Sequence, residues 1–290
     1  MKPKTPNQKK AYNALNLRLI KYMSQVQSIY DRIANQMAIS IDGTNFKGSE
    51  EFLFRNYPEL NQTINNLMSD YVTQMYGLIY SGTSNEWKES NIMQDLLARK
   101  VLRAYDFEKG GDKYNRYFQP NTEALKAFQQ RVDRGMNLSQ KLWFQSQALK
   151  KEMEQTISTA IDKGQSAVVL SKRISKYLSD FPSMKADYAE RYGKAVSCLD
   201  CQYASIRLAR TEVNMAYRKA EQTRWQQFDF ILGYEVKLSK RHPAPDICDD
   251  LIGIYPKDFV FLGWHPNCMC YVVPIVMSDE EFYGSPSIQK

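Results

Sequence analysis

Histidine occurs twice and cysteine five times in this chain of 290 residues, and both histidines and three of the cysteines fall between Ser239 and Cys270. The window carries His242-Pro-Ala-Pro-Asp246-Ile-Cys248-Asp249-Asp250 and then Trp264-His265-Pro266-Asn267-Cys268-Met269-Cys270. Imidazole and thiolate are the side chains that hold zinc, which takes four ligands, usually paired at short spacing on two segments. His242 and Cys248 offer one such arm; His265, Cys268 and Cys270 offer the other. An extended backbone through Cys268-Met-Cys270 points both sulfurs to one side. The first arm is long and holds two prolines, so a metal-free alternative stays open. In that alternative His265 bonds to backbone in a turn fixed by Pro266-Asn267, and the cysteines act as small buried apolar groups.

Two further constellations could do chemistry. Cys198-Leu-Asp-Cys201 has the spacing of a redox or metal pair, but no βαβ pattern surrounds it, and it adds ligands to the same site or none. A histidine base with Asp246, Asp249 or Asp250 and a metal would make a nuclease-like site. Arg210 with Glu212 would suit a nucleotide-transferring enzyme. No complete catalytic spacing is met, so we assign no catalytic residue.

The elements that must position these groups follow from hydrophobic period. Leu15, Leu19, Tyr22, Val26, Ile29, Ile33 and Met37 step by three and four and predict a long amphipathic helix over 11–37. A second helix runs from Leu60 to Leu78, with a break expected at Tyr80-Ser-Gly82-Thr-Ser-Asn and a third helix over 86–105. Further helices are expected after Asn121 and Ser139 and from Ala167 to Leu178, with Pro182 closing the helical half. Over 203–225, Ile206, Ala209, Val213, Ala216 and Ala220 form a narrow stripe that lets a neighbour approach closely. Arg207, Arg210, Asn214, Tyr217 and Glu221 share another face, expected to be solvated. Beyond Trp225 the period changes to two, predicting strands at 231–238, 259–262 and 271–276. The expected fold is α+β: a large, mostly helical part over 1–182, then a compact α+β module over 183–290 with short strands and the His/Cys loop cluster.

Composition narrows the function classes. Hydrophobic residues make up 43% of the chain, enough for a real core. The net charge of +7 lies upstream, where residues 1–182 carry about +8 while 183–290 are near neutral. A spread basic excess suits non-specific contact with DNA. No stretch approaches the ~20 apolar residues a bilayer requires, and Met1-Lys-Pro-Lys-Thr-Pro lacks a signal peptide's apolar run, so no membrane partner is expected. An odd cysteine count gathered around histidines argues against a disulfide scaffold.

Taken in order, Leu208-Ala-Arg210-Thr211-Glu212-Val-Asn-Met-Ala216-Tyr-Arg, a tryptophan, a strand, Asp246-Ile-Cys248-Asp-Asp-Leu-Ile-Gly253-Ile-Tyr-Pro256 and His265-Pro266-Asn267-Cys268-Met-Cys270 resemble a known family. It is the phage head morphogenesis family, the minor head proteins similar to the F protein of phage Mu. The resemblance covers about residues 135–276, including Gly135-Met-Asn-Leu-Ser139 upstream. Many members carry a second cysteine in the Asp-x-x-Cys loop, where this chain offers His242 upstream, and Met269 stands where the family often has arginine. Both departures leave the ligand set open. The resemblance implies a structural role in the virion: a few copies on the portal or inner capsid wall, partnered by portal and capsid proteins, aiding head assembly and DNA passage. Arg210, Thr211, Glu212, Asp246, Gly253, Pro266 and Asn267 are then motif or docking residues.

Overall fold

The computed structural model describes residues 3, 5–41, 51–105, 111–160, 167–239 and 245–285. Helices dominate: α1 (Gln8–Ser40), α2 (Pro58–Ala104), α3 (Gly111–Arg116), α4 (Thr122–Gln130), α5 (Leu138–Ala160), α6 (Ala167–Ser179), α7 (Phe181–Tyr192) and α8 (Cys201–Gln227) precede the strands. A small antiparallel sheet follows, of β1 (Ile231–Lys237), β2 (Gly253–Pro256) and β3 (Tyr271–Val276) in the order β2-β1-β3, with short helices α9 (Ile247–Asp250) and α10 (Asp279–Gly284). The α+β class and the helical N-terminal part are as expected. No helix among the described residues is long and apolar enough to cross a membrane.

The chain forms two compact units built from interleaved stretches. Unit 1 comprises Met1–Tyr22, Ile79–Arg131 and Arg210–Lys290, and unit 2 comprises Met23–Leu78 and Val132–Ala209. A boundary at residue 182 falls inside unit 2, and α1, α2 and α8 each run unbroken from one unit to the other. In unit 2, α5 packs against α6 and α7. Buried polar groups of this unit pair with one another: the Tyr30 hydroxyl donates to Glu152 (2.9 Å) and Tyr71 bonds Ser205 (2.6 Å).

In unit 1 the core joins Leu15, Leu19, Leu97 and Val101 of the long helices to Val213 and Trp225 of α8 and to Tyr234, Val236, Val272 and Val276 of the sheet. A chain of buried hydrogen bonds threads it. Trp225 Nε1 donates to Gln94 (2.8 Å), Gln94 donates to Glu221 (3.2 Å), and the Tyr12 hydroxyl donates to the other Glu221 oxygen (2.6 Å). Three helices are thereby fixed in rotation by polar contacts, on top of apolar packing.

Several local expectations are corrected. The break at Tyr80–Asn85 does not occur, because Gly82 lies inside α2. A Cβ there would stand 2.9 Å from Val213 Cγ2 and 3.2 Å from Tyr22 Cε1, so this glycine serves a close helix approach and no turn. Pro182 does not end a helix; it sits in the first turn of α7, where a missing N–H costs nothing, behind Asp180, whose carboxylate accepts from Ser183 N (3.2 Å). Phe259 to Leu262 forms no strand, and the strand is Gly253–Pro256, which pairs in register with β1. The face of Asn214, Tyr217 and Glu221 is buried, and from Glu212 to Trp225 α8 exposes no residue. Pro274 is tolerated in β3 because that strand is an edge.

Candidate metal centre

The loop after β2 and the short helix before it bring the predicted ligands together. Asp246 caps α9: its carboxylate accepts from Cys248 N (2.6 Å), while Asp249 accepts from Asp246 N (2.8 Å), a reciprocal capping box. This turn buries the Cys248 side chain against the loop of His265 to Cys270. Cys248 Sγ lies 3.1 Å from His265 Nε2 and 3.8 Å from Cys268 Sγ. The sulfurs of Cys248, Cys268 and Cys270 lie within 4.8 Å of one another, as do ligand atoms of Asp246, Cys248 and His265, so Cys248 belongs to both sets.

This donor set fits a metal ion. Around a tetrahedral centre with metal–sulfur distances of ~2.3 Å, sulfurs stand ~3.75 Å apart, which is close to the Cys248–Cys268 separation. His265 supplies a second argument. Its Nδ1 lies 2.7 Å from the Pro266 carbonyl oxygen, an acceptor, so Nδ1 carries a proton, and in the neutral ring Nε2 then holds a lone pair. That lone pair faces both Cys248 Sγ and, at 3.1 Å, an oxygen of Asp246. Three electron-rich atoms converging in this way are held together by a cation or by extra protons. The thiols are unequal: a hydrogen bond from Cys270, together with the Arg218 guanidinium, pulls Cys268 toward thiolate, while burial and the neighbouring Cys268 push Cys248 up to about 12.

A catalytic relay is a poor match to the same geometry. A nucleophile–base–orienter series needs the carboxylate on the ring nitrogen opposite the nucleophile. Here Asp246 and Cys248 meet the same nitrogen.

One face of α8 frames the loop. Donors recur every four residues: Arg210 donates to the Met269 sulfur, Asn214 Nδ2 to the Cys268 carbonyl (3.0 Å), and Gln222 Nε2 to the Phe261 carbonyl (3.0 Å). Between them Arg218, 2% exposed, donates to the carbonyls of Leu262 (2.9 Å), Cys268 (2.9 Å) and Cys270 (2.7 Å) and lies over the Phe261 ring at 4.9 Å. Charge-assisted bonds of this kind are about twice as strong as neutral ones. The guanidinium therefore clamps both ends of the Cys-x-Cys segment.

The remaining motif residues also work on the loop or behind it. Thr211 Oγ1 accepts from Asn267 N (3.4 Å), and Asn267 adopts φ 67°, the left-handed turn that lets Cys268 N close back on the His265 carbonyl (3.1 Å). Glu212 faces away from the loop, paired with Arg131 at 2.6 Å. Gly253 opens β2, opposite Val236. Beneath the loop Trp264 packs on Phe261, Phe259 and Tyr255, with ring centroids 4.9, 5.9 and 5.7 Å away.

His242 lies outside the described residues. Cys198 and Cys201 belong to unit 2 and to neither ligand set among the described residues. The framing residues that sequence left unassigned are Arg218, Gln222 and Gly263. The signal for the first two is the polar row Arg210, Asn214, Arg218, Gln222, four residues apart along α8 beside the stripe of Ala209, Val213, Ala216 and Ala220.

The chain matches no protein-family model, no curated protein and no solved structure.

Proposed function

We propose that this chain is a structural minor head protein of a tailed phage or prophage, seated at the portal or inner capsid wall, where it aids head assembly and DNA passage. The observation that supports this most is that the residues carrying the family resemblance meet one another. Arg210 and Thr211 contact Met269 and Asn267, and Cys248 contacts His265 and Cys268, so the motif set builds one frame around a loop. Residues used in this way hold a shape, which is what a docking module needs.

On this reading the ion is zinc, held by Cys248, His265, Cys268 and Cys270, and its work is to staple the loop to α9. The portal and capsid are the partners, DNA is touched non-specifically, and the protein passes from host cytoplasm to virion. The test is co-sedimentation of the purified chain with procapsids and capture by isolated portal. Binding to either supports the proposal. Failure of both, together with metal-dependent cleavage of DNA, would put a nuclease or nucleotide-transferring enzyme in its place.

A further inference from the structure

Two exposed apolar surfaces of unit 1 carry opposite charge. The first is a groove of about 540 Å³ between α1 and α2, lined by Ala11, Ala14, Ile92, Met93 and Leu96. Ile92 and Leu96 are 54% and 45% exposed, well above what a core position shows. Two of its charged lining residues are engaged, Arg18 by Glu86 (2.7 Å) and Asp95 by Arg224 (2.6 Å). Arg99 rests over the Phe118 ring and remains exposed. Within a helical turn or two of the apolar pair stand Lys88, Lys100 and Arg103, with Lys10 a turn before Ala14, all exposed. These four cations flank the groove outside its lining; against them Glu89, which does line it, is the one exposed acid between Trp87 and Tyr105 among the described residues.

The second surface is the outer side of β2 and the turn after it. Exposure alternates strictly through Ile252, Ile254, Pro256, Asp258 and Val260, and Ile254 is 74% exposed. Such a row on an edge strand is unusual, because exposed apolar edges invite pairing. Its rim is acidic. Asp249, Asp250 and Asp258 are exposed, while Lys257 turns inward to donate to the Phe228 carbonyl (2.9 Å) and Lys237 is paired with Glu235 (2.8 Å).

The two surfaces belong to different edges of the unit. Tyr12 of α1 meets Tyr271 of β3, whereas β2 lies two strand spacings away, ~10 Å across the sheet. Their lengths agree: Ile252 to Pro256 extends ~13 Å at 3.3 Å per residue, and Glu89 to Arg99 covers ~15 Å of helix.

We propose that the acidic strip of one copy of this chain seats in the basic groove of a second, an electrostatically matched head-to-tail contact. Because the two patches differ, the contact is heterologous. It propagates into a ring if its rotation closes and into an open chain if it does not.

Sedimentation velocity of the full chain over a concentration series, at low and high salt, tests this. The expected result is self-association that weakens about tenfold or more in high salt. Arg99→Glu with Lys100→Glu and Arg103→Glu removes the groove, and Asp250→Lys with Asp258→Lys removes the strip; each protein alone is expected to be monomeric. Mixed in equal amounts they form a dimer and nothing larger, since one intact strip then meets one intact groove. The same experiment with Leu96→Asp and Ile254→Asp uses different side chains, so a folding defect in one set does not decide the outcome. A wild-type chain that stays monomeric at every concentration, association that either variant leaves unchanged, or mixtures that stay monomeric in both sets would overturn the proposal.

Discussion

A Cβ on Gly263 would stand 2.5 Å from Nη1 of Arg218. The glycine also holds φ at 117°, where side chains rarely go. Gly263→Ala therefore adds backbone strain to a clash with the buried guanidinium. Unfolding in urea is expected to show a loss of about 2–4 kcal/mol.

Arg218→Lys keeps the charge and loses the fork. One ammonium on a flexible stem does not reproduce bonds to three carbonyls along the loop, and at least one buried carbonyl is left unpaired. A loss of about 3 kcal/mol is expected by the same measurement, with little difference between lysine and alanine.

Metal content separates the two cysteine groups. Elemental analysis of protein purified without chelator is expected to give near one equivalent of zinc, and Cys268→Ser or His265→Ala to lower it several-fold. Cys198→Ser and Cys201→Ser leave it unchanged. Chelation of the wild type lowers its melting temperature and leaves that of Cys268→Ser where it was. A wild-type content below about 0.2 equivalents would remove zinc from the site.

Burial raises the Glu221 carboxyl to about 8 in the folded protein, while the Tyr12 and Gln94 hydrogen bonds oppose that shift. Burial thus favours the neutral acid, against the Tyr12 and Gln94 donors and the nearby Arg218 charge. Below the ordinary value of 4.5 both folded and unfolded chains carry the proton, and the contribution is fully present. As pH rises from there, the unfolded chain loses the proton first, so stability falls by up to ~1.4 kcal/mol per pH unit until the folded group also ionises. Glu221→Gln is expected to flatten this part of the stability–pH profile. An unchanged slope would show that Glu221 is ionised in the fold.

At Gly82 two effects of known size compete. Alanine in a helix interior gains about 1 kcal/mol over glycine. Here its methyl would meet Val213 Cγ2 at 2.9 Å, on a β-branched side chain with little freedom in a helix. Overpacking costs about 1–3 kcal/mol. We expect Gly82→Ala to be destabilising on balance, as thermal unfolding would show.

The parts of the fold legible in sequence are those where one face decides. The stripe through Leu15, Leu19, Val26 and Ile33 placed α1, and the change of period after Trp225 placed β1 and β3. Local rules failed where a tertiary neighbour overrode them. Gly82 and its flanking serine, threonine and asparagine have the composition of a turn, but Val213 and Tyr22 require a residue without a side chain there. Phe259 and Phe261 have strand propensity and spend it on an aromatic cluster around Trp264. The gathering of Cys248, His265, Cys268 and Cys270 as candidate ligands was legible because histidine and cysteine are rare and fall close together in the chain. Arg218 was not, since the carbonyls it holds lie 44 to 52 positions away and a carbonyl leaves no mark in the sequence.

The interleaving of the two units has a consequence for synthesis. The Tyr12 hydroxyl and the Glu221 carboxyl that close the buried network are 209 positions apart. At about 5–20 residues per second, a ribosome makes the second of them roughly ten to forty seconds after the first. Throughout that interval Leu15 and Leu19 have no α8 or sheet to pack against. The helix α1 is thus synthesised well before the elements it packs against, so shielding by a chaperone or an early intermediate would matter there.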